Sequence, residues 1–174
     1  MSTPVLTKTE NGKTVKIFYD TDFNPRDEFD NFGEILYLGK GRYKLGDKAV
    51  SKEEMDRIAE SDDYIHLPVY AYIHGGVALS TGQFSCQWDS GQSGIVYVSK
   101  QKIRENFMVK RISKNTLKKA YDLLRSEVSE CSKVLNGEVY GFVLENENGE
   151  EIDSCWGFVE DLDKLAEDIL AGRY

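Results

Sequence analysis

Cysteine is scarce in this 174-residue chain, which contains only Cys86, Cys131 and Cys155. Three cysteines cannot all pair with one another, and none belongs to a C-x-x-C motif, so the sequence indicates free thiols in a reducing compartment. The chain also lacks an apolar run approaching the ~18 residues of a membrane span, and its amino terminus lacks the apolar region of a secretory signal. These absences predict a cytoplasmic protein without a membrane partner.

Signatures of enzymes and cofactors are missing as well. The acidic stretch at 20–31 lacks the spacing of a calcium loop, and GKGRYKLGDKA lacks the residue order of a phosphate loop. Ser80 and Ser90 lack the G-x-S-x-G context of a hydrolase nucleophile. No two candidate zinc ligands have a short chelating spacing, so neither a metal nor a cofactor is predicted. Those candidate ligands are His74, Cys86 and Cys155.

Charge is nearly absent from the middle of the chain. Between Tyr64 and Ser99 the one formal charge is Asp89, so this region can be buried on two faces without stranding charges. Its apolar runs are rich in β-branched and aromatic residues, and Gly75-Gly76 can take the φ angles of a hairpin turn. The stretch therefore predicts a β-meander at the centre of the fold. Its strand-like pieces are 67–73, 77–80, 84–88 and 93–98.

Helices are predicted before and after this meander. Ser51 and Ser113 stand at N-cap positions, and apolar residues recur every three or four positions from Ser113 to about Leu135. A hairpin over 139–159 and a last amphipathic helix from Glu160 complete the pattern. The sequence thus predicts an α+β fold, with a mostly antiparallel sheet of about five to seven strands covered by three or four helices. Residues 1–12 are expected to be flexible and residues 13–174 to form a single domain.

Positive charge is scarce at the carboxyl end. Residues 100–135 carry four acidic and ten basic side chains, whereas residues 136–174 carry eleven acidic and two basic ones. A basic helix packed beside acidic elements of the same domain would account for this segregation. Alternatively, one pole presents an acidic surface to a protein partner, while the net charge of −8 argues against direct nucleic-acid binding. The candidate partner-binding residues are Asp20, Asp22, Asp27, Glu28, Asp30, Glu160, Asp161 and Asp163.

Two strings around the only tryptophans echo one another, because residues 86–91 read CQWDSG and residues 153–157 read DSCWG. An indole N–H needs an acceptor, so one interpretation is a polar network that joins adjacent strands. The alternative is a site in which a cysteine is the nucleophile and His74 or His66 is its base. The two strings are expected to lie close together. The candidate polar cluster comprises His74, Cys86, Trp88, Asp89, Ser90, Asp153, Ser154, Cys155 and Trp156.

Three segments that span most of the chain from Asp30 to Phe158 resemble a known family. They are DNFGEILYLGKGRYKLGD, LPVYAYIHGGVALSTGQFSCQWDSGQSGIVYVSKQKIRE and YGFVLENENGEEIDSCWGF, and they are similar to small proteins encoded by phages and integrative elements of Firmicutes. The strings WDSGQ and DSCWGF make the resemblance specific, and it carries no catalytic residues with it. It implies an accessory gene of a mobile element, a setting in which inhibitors of host defence are common.

Two hypotheses about function arise from these observations. The first is a non-enzymatic phage or mobile-element protein that binds and inhibits a bacterial defence nuclease in the host cytoplasm, as anti-CRISPR and anti-restriction proteins do. By analogy, its acidic ends would imitate the charge of DNA. The second is a small hydrolase or ligand-binding protein that uses the Trp/Asp/Ser/Cys cluster in a concave pocket.

Overall fold

A computed structural model describes residues 3–39, 43–85 and 90–174, and within these ranges the chain forms nine strands and five helices. The chain divides into a smaller unit, Met1–Glu28 with Gly137–Tyr174, and a larger unit, Phe29–Asn136. The strands are β1 (Leu6–Glu10), β2 (Lys13–Tyr19), β3 (Glu34–Leu38), β4 (Lys48–Val50), β5 (Tyr64–Ile73), β6 (Val77–Ser80), β7 (Ser90–Ser99), β8 (Tyr140–Glu145) and β9 (Glu151–Phe158). The helices are α1 (Pro25–Glu28), α2 (Lys52–Ala59), α3 (Lys100–Asn106), α4 (Lys114–Leu135) and α5 (Leu162–Leu170).

The smaller unit is built on an antiparallel sheet with the strand order β1-β2-β8-β9. Asn11 and Gly12 both have positive φ, as a primed turn between β1 and β2 requires. Because side chains alternate along a strand, Lys16, Phe18 and Val143 point away from the face that packs against α5. The buried core on the α5 face comprises Val15, Ile17, Tyr140, Phe142, Leu144, Leu165, Ala166 and Ile169.

Strand β1 lies within the segment 1–12 that was expected to be flexible. Its sequence, LTKTE, is mostly polar, yet its backbone pairs with β2 from Leu6 opposite Ile17 to Glu10 opposite Lys13. An edge strand has one sheet neighbour and much of its surface in solvent, so it needs few apolar side chains. The polar composition of this segment therefore led to a wrong expectation of flexibility, although the Asn11-Gly12 turn indicates a strand on either side of it.

The larger unit contains a five-stranded sheet with the order β4-β3-β7-β5-β6, in which only the described pair β3 and β4 is parallel. Helices α3 and α4 contribute to the core on one face, and α2 packs on the other. Neighbouring residues of β3 show this alternation, since Ile35 belongs to the first core and Leu36 to the second. The sheet is therefore buried on two faces, which explains the scarcity of charge between Tyr64 and Ser99.

Side chains of α4 occupy the outer edge of β6. The Asn136 side-chain amide, directly after α4, donates to the Val77 carbonyl at 2.6 Å, and its oxygen accepts from the Val77 N–H at 2.9 Å. The Leu79 N–H donates to the Ser132 hydroxyl at 3.0 Å. These contacts satisfy backbone groups that would otherwise be open to another strand.

The predicted α+β class and mostly antiparallel pairing are confirmed, although the strands lie in two sheets. Helix α4 begins after Ser113, whose hydroxyl accepts from the Thr116 N–H at 3.1 Å. Of the predicted meander, β5 and β6 form the hairpin at Gly75-Gly76, but β7 pairs with β5 and not with β6, so these three strands do not follow meander order. Phe84 and Ser85 belong to no strand, and residues 86–88 lie outside the described ranges. A single domain was expected over residues 13–174, and the described residues divide into two units with separate cores.

Candidate functional site

Strands β2, β8 and β9 each have a terminus at the same end of the sheet of the smaller unit. Strand β2 ends there at Tyr19, β8 begins at Tyr140, and β9 ends at Phe158. Tyr19 is paired with Tyr140, and Tyr140 is paired with Phe158. The connections 20–24, 137–139 and 159–161 consequently all lie at this end. Phe23 folds back onto β9, since a Cβ added to Gly157 would be 2.6 Å from Cε1 of its ring. Residues far apart in sequence are thereby gathered at one place.

Seven of the eight predicted partner-binding residues belong to these connections or to the helices that follow them, α1 and the first turn of α5. Asp161 also has a structural role, because its Oδ1 accepts from the backbone N–H groups of Asp163 and Lys164 at 3.1 and 3.2 Å and so caps α5. All of the seven except Asp20 are exposed. We call this group the acidic end, and its members are Asp20, Asp22, Asp27, Glu28, Glu160, Asp161 and Asp163.

Asp30 is the one predicted partner-binding residue that belongs to the larger unit. Its carboxylate lies 3.0 Å from Lys102 Nζ. Lys102 also donates to the carbonyl of Asn31 at 2.6 Å. Asp30 therefore has a cation partner within its own unit, although in the sequence it belongs to the acidic stretch 20–31.

The two units differ in net charge. The smaller unit contains sixteen carboxylate side chains and six basic ones, a net charge of −10, whereas the larger unit has a net charge of +2. At the acidic end, Lys164 bonds to Glu160 at 3.3 Å and Arg26 is buried. The excess negative charge of the chain thus resides entirely in the smaller unit.

Tyr140 lies in the core beside the acidic end, with its ring 5.5 Å from that of Tyr19. Burial raises the pKa of the Tyr140 phenol, and Tyr19, Glu138 and Asp161 raise it further by charge repulsion. Folding therefore favours the neutral form of the Tyr140 phenol over the ionised form.

We expect the free energy of unfolding to fall above about pH 10, because the unfolded chain ionises its tyrosines there while folded Tyr140 keeps its proton. Tyr140 can contribute at most about 1.4 kcal/mol per pH unit to this slope. Urea unfolding at about pH 9 and about pH 11 measures this effect. The free energy of unfolding should fall less between these two pH values for Tyr140→Phe than for the wild type. Equal losses in the two proteins would contradict the assignment.

The structure describes the two tryptophan strings to different extents. Residues 86–89 lie outside the described ranges, Ser90 begins β7, and His74 follows β5. The four remaining members of the predicted polar cluster, Asp153 to Trp156, form part of β9 and are exposed. The proximity of the two strings therefore stays a prediction. Both histidines of the chain belong to the larger unit, so the smaller unit alone offers Cys155 no imidazole base.

On β9 the exposed side chains have different partners. The Tyr174 hydroxyl donates to the Asp153 carboxylate at 2.5 Å, and this hydrogen bond is the main reason that the pKa of Tyr174 is raised. Ser154 donates to the Glu151 carboxylate at 2.8 Å, and the Cys155 thiol lies 3.8 Å from the Trp156 carbonyl. These contacts assemble no nucleophile with a base.

A groove with a volume of 480 Å³ lies on the sheet face that α5 does not cover. Its aromatic members are Phe18 and Trp156, and the ion pair between Lys16 and Glu145, at 2.6 Å, stands at its side. Sequence reasoning missed these partners of Trp156, and the one available signal was a glycine, Gly141, inside the apolar run of β8. We call this feature the Trp156 groove; it is lined by Pro4, Lys16, Phe18, Val143, Glu145, Glu151 and Trp156.

Comparisons with models of protein families, with curated proteins and with solved structures give no match to this chain. Across the described residues, no group of three or more His, Cys, Asp or Glu side chains is arranged to hold a metal ion. No helix in the same residues is long and apolar enough to cross a membrane.

Proposed function

We propose that this protein is a non-enzymatic binding protein whose acidic end occupies a basic surface of a protein partner. The observation that carries the proposal is the convergence of acidic residues from both ends of the chain at one end of one sheet. A concentrated charge of one sign attracts a complementary surface and repels a surface of like charge. The acidic end therefore favours a cationic protein over nucleic acid as the direct partner.

The class of partner is inferred from the resemblance to small phage and integrative-element proteins. A defence nuclease of the host cell needs a basic surface to hold DNA, because phosphate contacts supply much of the affinity for nucleic acid. An acidic protein that fits this surface would inhibit cleavage by excluding the DNA. We accordingly propose an anti-defence inhibitor of the anti-CRISPR or anti-restriction type, which acts in the cytoplasm of the host.

The proposal is tested with purified protein and a panel of restriction enzymes and CRISPR effector nucleases. We expect the protein to co-elute with one of them, to reduce its cleavage of DNA, and to lose affinity between roughly 50 and roughly 300 mM salt as the charges are screened. The variant with Asp22→Lys, Glu28→Lys and Glu160→Lys should bind at least about tenfold more weakly.

A control variant with an equal change in net charge separates position from total charge. Glu10→Lys, Glu147→Lys and Glu150→Lys reverse three exposed carboxylates at the opposite end of the same sheet. This variant should keep its affinity within about threefold of the wild type, since its changes lie away from the proposed contact surface. Absence of inhibition across the panel, or equal losses in the two variants, would refute the proposal.

A further inference from the structure

Trp156 has no role in the function proposed above. Its indole lies over the backbone of Gly141, since a Cβ added to that glycine would be 1.8 Å from Cε3. The ring centroid lies 6.3 Å from that of Phe18, yet the residue is 50% exposed. Among the described residues no acceptor bonds to the indole N–H, and an indole that served only the fold would be expected to be buried and bonded. The ring and its N–H are thus available to a ligand.

The charge at the groove favours a cation. Lys16 is already paired with Glu145 at 2.6 Å. Glu151 accepts a hydrogen bond from Ser154, and no cation pairs with it in the described part of the chain. Among the described residues, one carboxylate that lines the same groove as the indole is therefore left without a counter-charge, in a unit whose net charge is −10. An arginine or lysine over the indole would gain both a cation–π contact and this carboxylate.

The edge of the sheet at the groove favours an extended chain. Strand β9 is the last strand in the order β1-β2-β8-β9, and every residue from Glu151 to Trp156 is exposed. The edge strand β6 of the larger unit differs, because Asn136 and Ser132, which come from another part of the chain, bond to its outer backbone groups. On β9 the Ser154 N–H bonds only to the side chain of its own neighbour, Asp153, at 2.8 Å among the described residues. Register irregularities near both ends of β9 leave a regular stretch over 153–156. A short extended segment could pair with that stretch and place a side chain in the groove.

We propose that the Trp156 groove and the edge of β9 bind an extended segment of a protein partner that carries an arginine or lysine beside apolar residues. Its cation lies over the Trp156 ring next to Glu151, its apolar neighbours contact Phe18, and its backbone pairs with β9. This surface is distinct from the acidic end and does not depend on the nuclease proposal. It would give the protein a second contact, with its own specificity.

The probe is a fluorescent peptide of about eight residues that alternates arginine and valine, compared with a peptide in which uncharged citrulline replaces each arginine. Fluorescence anisotropy should show binding of the arginine peptide, at least about tenfold weaker binding of the citrulline peptide, and a similar loss for Trp156→Ala. Gly141→Ala should also weaken binding, because its methyl group displaces the indole without removing a charge.

Two controls keep this test separate from the first. Tyr43→Ala removes an aromatic side chain of similar exposure from the larger unit and should leave peptide affinity within about twofold. The acidic-end triple variant should bind the peptide within about threefold of the wild type, and Trp156→Ala should still bind the nuclease. Failure at one surface therefore does not imply failure at the other.

Backbone pairing is tested by amide hydrogen exchange. Binding of the arginine peptide should slow exchange in residues 153–156, whereas contact with the ring alone would leave these amides unchanged and refute the strand pairing. Equal binding of the two peptides, or equal binding by wild type and Trp156→Ala, would overturn the proposal. Concentration-dependent dimerisation that Trp156→Ala abolishes would likewise overturn it, because a second copy of the chain would then fill the groove.

Discussion

Gly94→Ala is expected to destabilise the larger unit by more than about 4 kcal/mol. A Cβ at Gly94 would lie 1.9 Å from the Leu36 carbonyl oxygen and 3.0 Å from its carbonyl carbon. Both atoms are backbone, so no side chain can rotate away. Strand β7 lies between β3 and β5, and the clash can be relieved only by separating β7 from β3 and stretching their hydrogen bonds.

Gly91→Ala is the matched control in the same strand. A Cβ at Gly91 meets no atom of the described residues within 4 Å, and its backbone φ is not positive. This variant should change the free energy of unfolding by less than about 1 kcal/mol, which separates loss of a strand glycine from a steric clash. Urea unfolding followed by circular dichroism measures both. If the free energy of unfolding of Gly94→Ala lay within about 1 kcal/mol of the wild-type value, β3 and β7 would be able to separate with little loss of stability, and the prediction would be wrong.

Local features of this fold could be read from the sequence because they depend on neighbouring residues. Ser51 and Ser113 were predicted as N-caps, and each accepts a hydrogen bond from the backbone N–H three residues later. The turn at Gly75 was predicted from the need for positive φ, and its φ is 73°. Such signals are complete within a few residues, so no knowledge of the rest of the chain is needed.

Strand partners could not be read in this way. Tyr19 pairs with Tyr140, although the whole larger unit lies between them in the sequence. No local pattern specifies which distant strand lies beside β2. The division into two units depends on this pairing, because it returns the carboxyl end of the chain to the amino end. A single domain was the simpler expectation from chain length alone.

The candidate sites show the same limit. Composition identified the acidic residues, but their collection at one end depends on the register between β2, β8 and β9. The Trp156 groove depends on Gly141 lying opposite Trp156. Similarity between the two tryptophan strings carries no information about register, and their proximity stays a prediction because residues 86–89 lie outside the described ranges.

Phe142→Ala is expected to destabilise the smaller unit by about 3 to 5 kcal/mol. The Phe142 side chain is fully buried, its ring centroid lies 5.7 Å from that of Phe158, and Tyr174 meets it edge-on at 4.9 Å. The unit contains 66 residues, and a domain of that size has a total stability of only roughly 3 to 10 kcal/mol. Removal of this ring would therefore consume much of the stability of the unit.

Because the larger unit has a separate core, we expect Phe142→Ala to act on one unit only. Amides of β2 and β8 should lose protection from hydrogen exchange, while amides of β5 and β7 keep theirs. Phe29→Ala removes the same side chain where it is 63% exposed, and it should cost less than about 1 kcal/mol. Equal loss of protection in all four strands would show that the two units unfold as one cooperative domain, because damage to one core would then reach the other.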